Sequence, residues 1–271
     1  MTGQEKEVVR LQDYAGSTAI VVSSCDTFFD AWKPFLFFFR KFWPDCPFPV
    51  YLIVNELRIR SNFIRALPVG PDRGWASNMK SALQRLEVPR VLYLQEDYFL
   101  NGPVQSRLLA EDFAYAFENE VDSLCFRARS ELEPGFRPLN DRFGVVPLDS
   151  DGRTRCQLTL WKRASLLSVL REGENAWEME SQGSERTREM KFLSYSSREN
   201  VPVSYLMSAI VRGLWTKEAL AMCEAEGLEI SPHVRSTYSS SDLLQRLRRT
   251  RSRGRLRREL RQRRGKVVAL E

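Results

Sequence analysis

Three short apolar runs constrain this chain most: Thr18-Ala-Ile-Val-Val-Ser23, Val50-Tyr-Leu-Ile-Val54 and Val91-Leu-Tyr-Leu94. None alternates apolar with polar residues, so each reads as a strand covered on both faces. The segments between them have helical period. Over 27–42, Trp32, Phe35, Phe38, Phe39 and Phe42 recur on one helical face, and Asp26 stands where a helix N-cap belongs. Over 74–86, Trp75, Met79, Leu83 and Leu86 are spaced by three and four. Another helix is expected near 106–117, followed by a strand at Ser123-Leu-Cys-Phe126. Buried strands alternating with helices predict an α/β fold: a Rossmann-like, mainly parallel sheet with helices on both faces. In such a sheet, ligands bind at the carboxyl ends of the strands.

The second half is less regular. Residues 131–146 read as a long loop, Cys156-Gln-Leu-Thr-Leu-Trp161 as a strand, 163–170 as a short helix and 201–210 as strand-like. A helix over 216–227 has a threonine cap and a glycine stop, and Ser239-Ser-Ser-Asp242 can cap a last helix. Two parts follow: one α/β domain over 1–238, regular over about 18–126 and less regular over about 127–238, then a basic helical tail over 239–271. The charge is just as uneven. Between Arg246 and Glu271 twelve Lys and Arg face two Glu, a local charge of +10 that leaves the rest of the chain at −4 against the overall +6.

Composition removes several chemistries. Hydrophobic residues at 43% and charged residues at 28% exclude wholesale disorder. No run reaches the roughly 18 apolar residues of a membrane-spanning helix, and residues 1–7 lack the apolar stretch of a secretory signal, so a cytosolic location is expected. Five scattered cysteines with no C-x-x-C pair read as reduced thiols. The one histidine, His233, lies beside Pro232 and reads as a loop residue, so acid–base chemistry must fall to carboxylates.

Two carboxylate clusters are candidates. Gln95-Glu96-Asp97 closes the third apolar run, where hard oxygen ligands could hold Mg²⁺ or Mn²⁺ against a diphosphate; equally, the two acids could be solvated or cap the next helix. Trp177-Glu178-Met-Glu180 sets an aromatic side chain beside two carboxylates that could serve as general bases. If that segment is extended, Glu178 and Glu180 share a face and Trp177 points away; the alternative is a core tryptophan beside solvated acids.

The strand at Val91–Leu94 followed by Glu96-Asp97-Tyr98-Phe99-Leu100 resembles the acidic motif of GT-A-type glycosyltransferases, with Gln-Glu-Asp where the family carries D-x-D. Asp72-Arg-Gly-Trp75 with Asn78-Met-Lys-Ser-Ala-Leu83 resembles the stretch that precedes it in bacterial members. Gln157–Lys162 and Asn175–Ser184 resemble the W-E-x-E segment of bacterial polysaccharide transferases. The resemblance covers 18–215 and implies a GT-A fold with a nucleotide-binding half at about 18–126 and an acceptor half at about 127–238, a nucleotide-sugar donor, and transfer to a glycan or lipid-linked hydroxyl of the cell envelope. On that pattern Ser24, Asp26, Asp72, Trp75, Lys80, Glu96 and Asp97 face the nucleotide-sugar, with Arg73 beside Lys80 against the phosphates. Glu96 and Asp97 hold a divalent cation, Trp177 meets the acceptor, and Glu178, or else Glu180, is the base of an inverting transfer. Gly213-Leu-Trp215 closes over the diphosphate. The basic tail then reads as a peripheral anchor on an anionic membrane at the inner face of the plasma membrane. Nucleic acid is the lesser alternative, because the tail lacks interleaved aromatics. Two rival functions are a sugar-phosphate nucleotidyltransferase, which would need a glycine-rich loop where Ser23-Ser-Cys-Asp-Thr27 stands, and a non-enzymatic nucleic-acid-binding protein.

Overall fold

The computed structural model describes residues 9–129, 133, 135–239 and 241–271. The expectations for residues 1–7, for the start of the loop at 131 and for Ser240 lie outside them. The strands are β1 (Thr18–Ser23), β2 (Val50–Val54), β3 (Arg58–Arg60), β4 (Ile64–Pro68), β5 (Arg90–Gln95), β6 (Phe99–Leu100), β7 (Ser123–Ala128), β8 (Arg137–Pro138), β9 (Phe143–Val145), β10 (Thr159–Lys162), β11 (Phe192–Tyr195), β12 (Tyr205–Leu206), β13 (Ile210–Val211), β14 (Leu214–Trp215) and β15 (Val267–Ala269). The α-helices are α1 (Phe29–Phe42), α2 (Trp75–Leu83), α3 (Ser106–Glu118), α4 (Arg163–Val169), α5 (Ala176–Gln182), α6 (Lys217–Ala225) and α7 (Asp242–Arg263).

Nine strands form one sheet in the order β4-β2-β1-β5-β10-β7-β11-β9-β8. β4, β2, β1 and β5 run parallel, as do β7 and β11. β10 enters antiparallel between β5 and β7, with Leu160 opposite both Leu92 and Leu124. This is an α/β fold with a mainly parallel central sheet, and the strand from the second half locks both halves into one sheet.

Alternation along each strand builds two cores. Ile20, Val22, Leu92 and Leu94 point into the layer under α1 and α3, while Val21, Val91 and Tyr93 point into the layer under α2 and α4. The unbroken apolar runs thus feed both faces at once, which is why none could alternate with polar residues.

The last helix forms where its arginines lie, but it is no free tail. Gln245, Ser252 and Leu256 are buried along one stripe of α7, and Leu260 packs on the core. Ser252 Oγ accepts from the Ser236 N–H at 2.9 Å, and the Arg263 guanidinium lies 4.7 Å from the Phe29 ring centroid. Beyond the helix, β15 pairs in parallel with β3, and the Glu271 side chain accepts from Ser61 Oγ at 2.7 Å. No described helix is long and apolar enough to cross a membrane.

Candidate active site

After β1 the chain enters a short 3-10 turn at Asp26–Phe28 before α1. Asp26 does not cap that helix. Its carboxylate instead accepts the backbone N–H groups of Asn55, Glu56 and Leu57 at 2.8–2.9 Å, three orphan donors just beyond β2. The β1 and β2 ends are thereby tied into one rim. Ser24 Oγ accepts from Trp32 Nε1 at 2.8 Å, and Ser23 Oγ accepts from Trp75 Nε1 at 3.0 Å. Asp72 accepts from the Gly74 N–H and from Asn78 Nδ2, which fixes the turn into α2, where Gly74 adopts φ +91°. Trp75 is half-buried, edge-on to Tyr93, and lines a cavity of about 220 Å³ with Ser24, Asp72 and Glu96.

After Gln95 the backbone turns, with Tyr98 N–H donating to the Gln95 carbonyl, and β6 then pairs with β12. The turn leaves Glu96 and Asp97 at the rim, both buried and both lining a cavity of about 490 Å³. Asp97 Oδ2 accepts from Ser208 Oγ at 2.7 Å and from the Ile210 N–H at 3.2 Å, while its buried Oδ1 has no partner among the described residues. Burial, then the neighbouring Asp97, raises the Glu96 carboxyl well above the usual range. Burial likewise pushes Asp97 up to about 6, against the pull of Ser208 and the Ile210 N–H. A pair of desolvated acids side by side favours a shared proton or a bound cation.

Trp177 lines the same cavity from α5 and is 80% exposed, so it is not a core residue. Neither Glu178 nor Glu180 is part of that lining. The segment is helical, not extended, because Asn175 and Glu178 form a capping box: Asn175 Oδ1 accepts from the Glu178 N–H, and Glu178 Oε2 accepts from the Asn175 N–H at 2.7 Å. Helical spacing reverses the expected faces. Trp177 and Glu180 now stand three apart on one side, and Glu178 turns to solvent. Glu180 is half-buried, and its Oε1 accepts from the Cys156 N–H at 2.6 Å; burial raises its pKa.

Lys80 on α2 and Arg73 just before it line none of the cavities at the strand ends. Lys80 lies 3.6 Å from Glu172, and Arg73 donates to Ser81 Oγ. Three arginines of α7, Arg249, Arg253 and Arg257, line the 490 Å³ cavity. Arg257 also lines an adjoining cavity of about 400 Å³ with Asp26, Asn55 and Asp72. The β13–β14 turn adds Arg212 and Gly213 to the larger cavity, while Leu214 and Trp215 are buried. Arg212 and Gly213 both have positive φ, +52° and +77°, as a two-residue hairpin turn requires. Among the described residues the other non-glycine residue with positive φ is Glu120, just after α3. Arg235, also in the lining, is committed to Asp30 through two hydrogen bonds of 2.9 Å. Sequence reasoning missed Ser208, Arg212 and the three α7 arginines. Ser252, Leu256 and Leu260, four apart, were the signal that α7 has a docking face.

The three cavities share residues: Thr27 and Arg257 join the first pair, Asp72 the second, and Phe28, Gln95 and Glu96 the third. They form one cleft over the ends of β1, β2 and β5. No group of three metal-ligating side chains occurs among the described residues, and all five cysteines are free.

No protein-family model matches the chain, and no curated protein sequence does. Solved structures similar to it include Staphylococcus aureus TarS residues 1–349 in complex with UDP-GlcNAc (13% identity, 70% of this chain and 57% of that one, TM-score 0.46). A protein from Desulfovibrio desulfuricans G20 assigned to the nucleotide-diphospho-sugar transferases is also similar (12% identity, 93% and 99%, TM-score 0.40). So is a UDP-glucose pyrophosphorylase complexed with UDP-glucose (8% identity, 70% and 90%, TM-score 0.41). The chain spans 36–61% of the length of the TarS structures it matches.

Proposed function

We propose that this chain is a glycosyltransferase that moves a sugar from a nucleoside diphosphate sugar to a hydroxyl of a glycan or lipid-linked acceptor. The observation that carries the reading is the three-lobed cleft, whose largest lobe holds two buried carboxylates and an exposed tryptophan. Ligands of open α/β sheets bind at such strand ends. The nucleoside occupies the lobes of Trp75, Asp72 and Asn55; the sugar lies toward Trp177.

The acceptor oxygen attacks the anomeric carbon as the bond from that carbon to the phosphate oxygen breaks, so the nucleoside diphosphate leaves and the configuration inverts. Glu180, with its pKa raised by burial, takes the acceptor's proton. Glu178 is spent on its capping box. A divalent cation fits the pair in the largest lobe: Asp97 Oδ1 is orphaned among the described residues and Glu96 lines the same cavity. Two carboxylates would hold Mg²⁺ or Mn²⁺, with diphosphate oxygens and water completing the shell, and the cation would neutralise charge on the leaving group. The outer face of α7 carries exposed Leu243 and Leu247 beside Arg251 and Arg258, which suits peripheral contact with an anionic membrane where a lipid-linked acceptor resides.

Calorimetry against UDP-, GDP-, dTDP- and CMP-sugars, with and without Mn²⁺, tests the reading. One donor binds, and its hydrolysis or transfer releases nucleoside diphosphate. Release of inorganic pyrophosphate from a nucleoside triphosphate and a sugar 1-phosphate would instead establish the nucleotidyltransferase.

A further inference from the structure

Twelve Lys and Arg near the C-terminus demand a partner, because like charges four residues apart on a helix repel. The fold divides them. Ser252, Leu256 and Leu260 dock α7 on the body, which fixes the helix's rotation. Arg249, Arg253 and Arg257, spaced by four, therefore stand on one flank of that stripe and line the cavity of Glu96 and Asp97. None of the three has a carboxylate partner within salt-bridge distance among the described residues, whereas Arg263 pairs with Glu259 and Arg264 with Glu56. Arg251 and Arg258 are exposed and line none of the three lobes.

We infer that this arginine row is the diphosphate-binding wall of the cleft, so that the C-terminal helix completes the donor site. The inference rests on the sugar-transfer reading for its ligand and on the geometry for its place. Arg257 lines both the nucleoside lobe and the sugar lobe, and in a nucleoside diphosphate sugar the group between those two parts is the diphosphate. A guanidinium presents a planar fork of donors that matches two phosphate oxygens, and the row offers several along a helix whose position is already set. The same row would be wasted on a membrane, since it faces the cleft. It also answers a problem on the opposite wall: a doubly charged diphosphate cannot approach two carboxylates without compensating cations.

The test uses the full chain and two double variants with equal charge loss, R253Q/R257Q from the row and R251Q/R258Q from the outer face. The probes are UDP, GDP, uridine, guanosine and inorganic pyrophosphate, measured by calorimetry. The row variant loses about 100-fold or more in affinity for the nucleoside diphosphate and for pyrophosphate, as expected for two charge-assisted contacts, and keeps nucleoside affinity. The outer-face variant stays within about threefold. R253K/R257K, which retains the charge but not the fork, falls between them. Melting temperatures of the three variants separate a binding defect from a folding defect. Equal loss in both doubles, or none in the row, overturns the inference and leaves the transfer reading intact if UDP or GDP still binds. Arginine-dependent binding of pyrophosphate without any nucleoside preference supports the row and counts against the transfer reading. Failure of the native chain to bind any probe overturns the inference.

Discussion

Glu96 and Arg253 line one cavity, the first from the carboxyl end of β5 and the second from α7 near the other end of the chain. The acidic body and the basic C-terminal segment therefore both line one cavity, which on the proposed reading is the donor site. An uneven charge distribution that looks, in one dimension, like an appendage becomes in three dimensions the pairing that a phosphorylated ligand between cations and carboxylates requires.

Burying Glu96 beside Asp97 costs stability, and the cost depends on pH. Both carboxyls are raised in the folded chain, so the stability they contribute is complete below the ordinary carboxylate range and is lost as pH rises through the folded values. For Asp97 that window lies between about pH 4 and about 6. Glu96→Gln removes the repulsion. Its melting temperature exceeds that of the native chain at pH 7.5 by about 2–4 °C, the equivalent of roughly 1 kcal/mol in a chain of this size. The two melting curves converge toward pH 4. Donor turnover falls in the same variant, so a gain in stability accompanies a loss of activity.

The α5 segment separates its two glutamates by role. Glu180→Gln lowers kcat by about 10²–10⁴-fold with little change in donor affinity, as expected when a general base is lost. Glu178→Ala breaks the capping box with Asn175 and costs about 0.5–2 kcal/mol of stability, while kcat stays within about twofold. Steady-state kinetics with thermal melts on both variants check the assignment. A larger kcat loss at Glu178 would reverse it.

Arg212 holds φ +52° at the first position of a two-residue hairpin turn, where Asn is better suited. Arg212→Asn therefore leaves stability unchanged or raises it by about 0.5–1 kcal/mol, even though it removes the 3.3 Å contact to Gln245. If the strained conformation is kept for the ligand, the KM for the donor rises at the same time. Chemical denaturation and donor titration on one preparation read both effects.

Much of the fold was legible because the first half obeys single-period rules. The runs at β1, β2 and β5 are apolar on both faces, and the phenylalanine spacing of α1 admits only a helix. Thr216 and Gly227 marked α6 at both ends, and Thr216 Oγ1 indeed accepts from the Ala219 N–H. The antiparallel entry of β10 was not legible, since alternation in Cys156–Trp161 reports a strand but not its neighbours. The short β3 and β15 escaped because their pairing is with each other, far apart in sequence. The strand-end rule placed Glu96 and Asp97 at the sheet's rim, where both line a cavity. The error at Glu178 came from reading an extended segment where Asn175-x-x-Glu178 already spelled a helix start. Lys80 failed because charge on α2 does not say which way the side chain turns, and Glu172 was the nearer partner.

Trp177 offers the sharpest separation of binding from folding. At 80% exposure it contributes almost nothing to the core, so Trp177→Ala leaves the melting temperature within about 1–2 °C, as for surface changes of up to roughly 0.5 kcal/mol. An indole on the wall of a sugar site gives a broad apolar face to the ring, with a gain of about 1–2 kcal/mol, which corresponds to a fivefold to thirtyfold rise in KM when the side chain is removed. The rise is confined to the substrate that stacks there. If the acceptor is that substrate, its KM increases and donor affinity by calorimetry does not. If the donor's sugar stacks there, affinity for the nucleotide-sugar falls and affinity for the bare nucleoside diphosphate is kept. Loss of thermal stability without either change would mean that the residue belongs to the fold, and would remove Trp177 from the site.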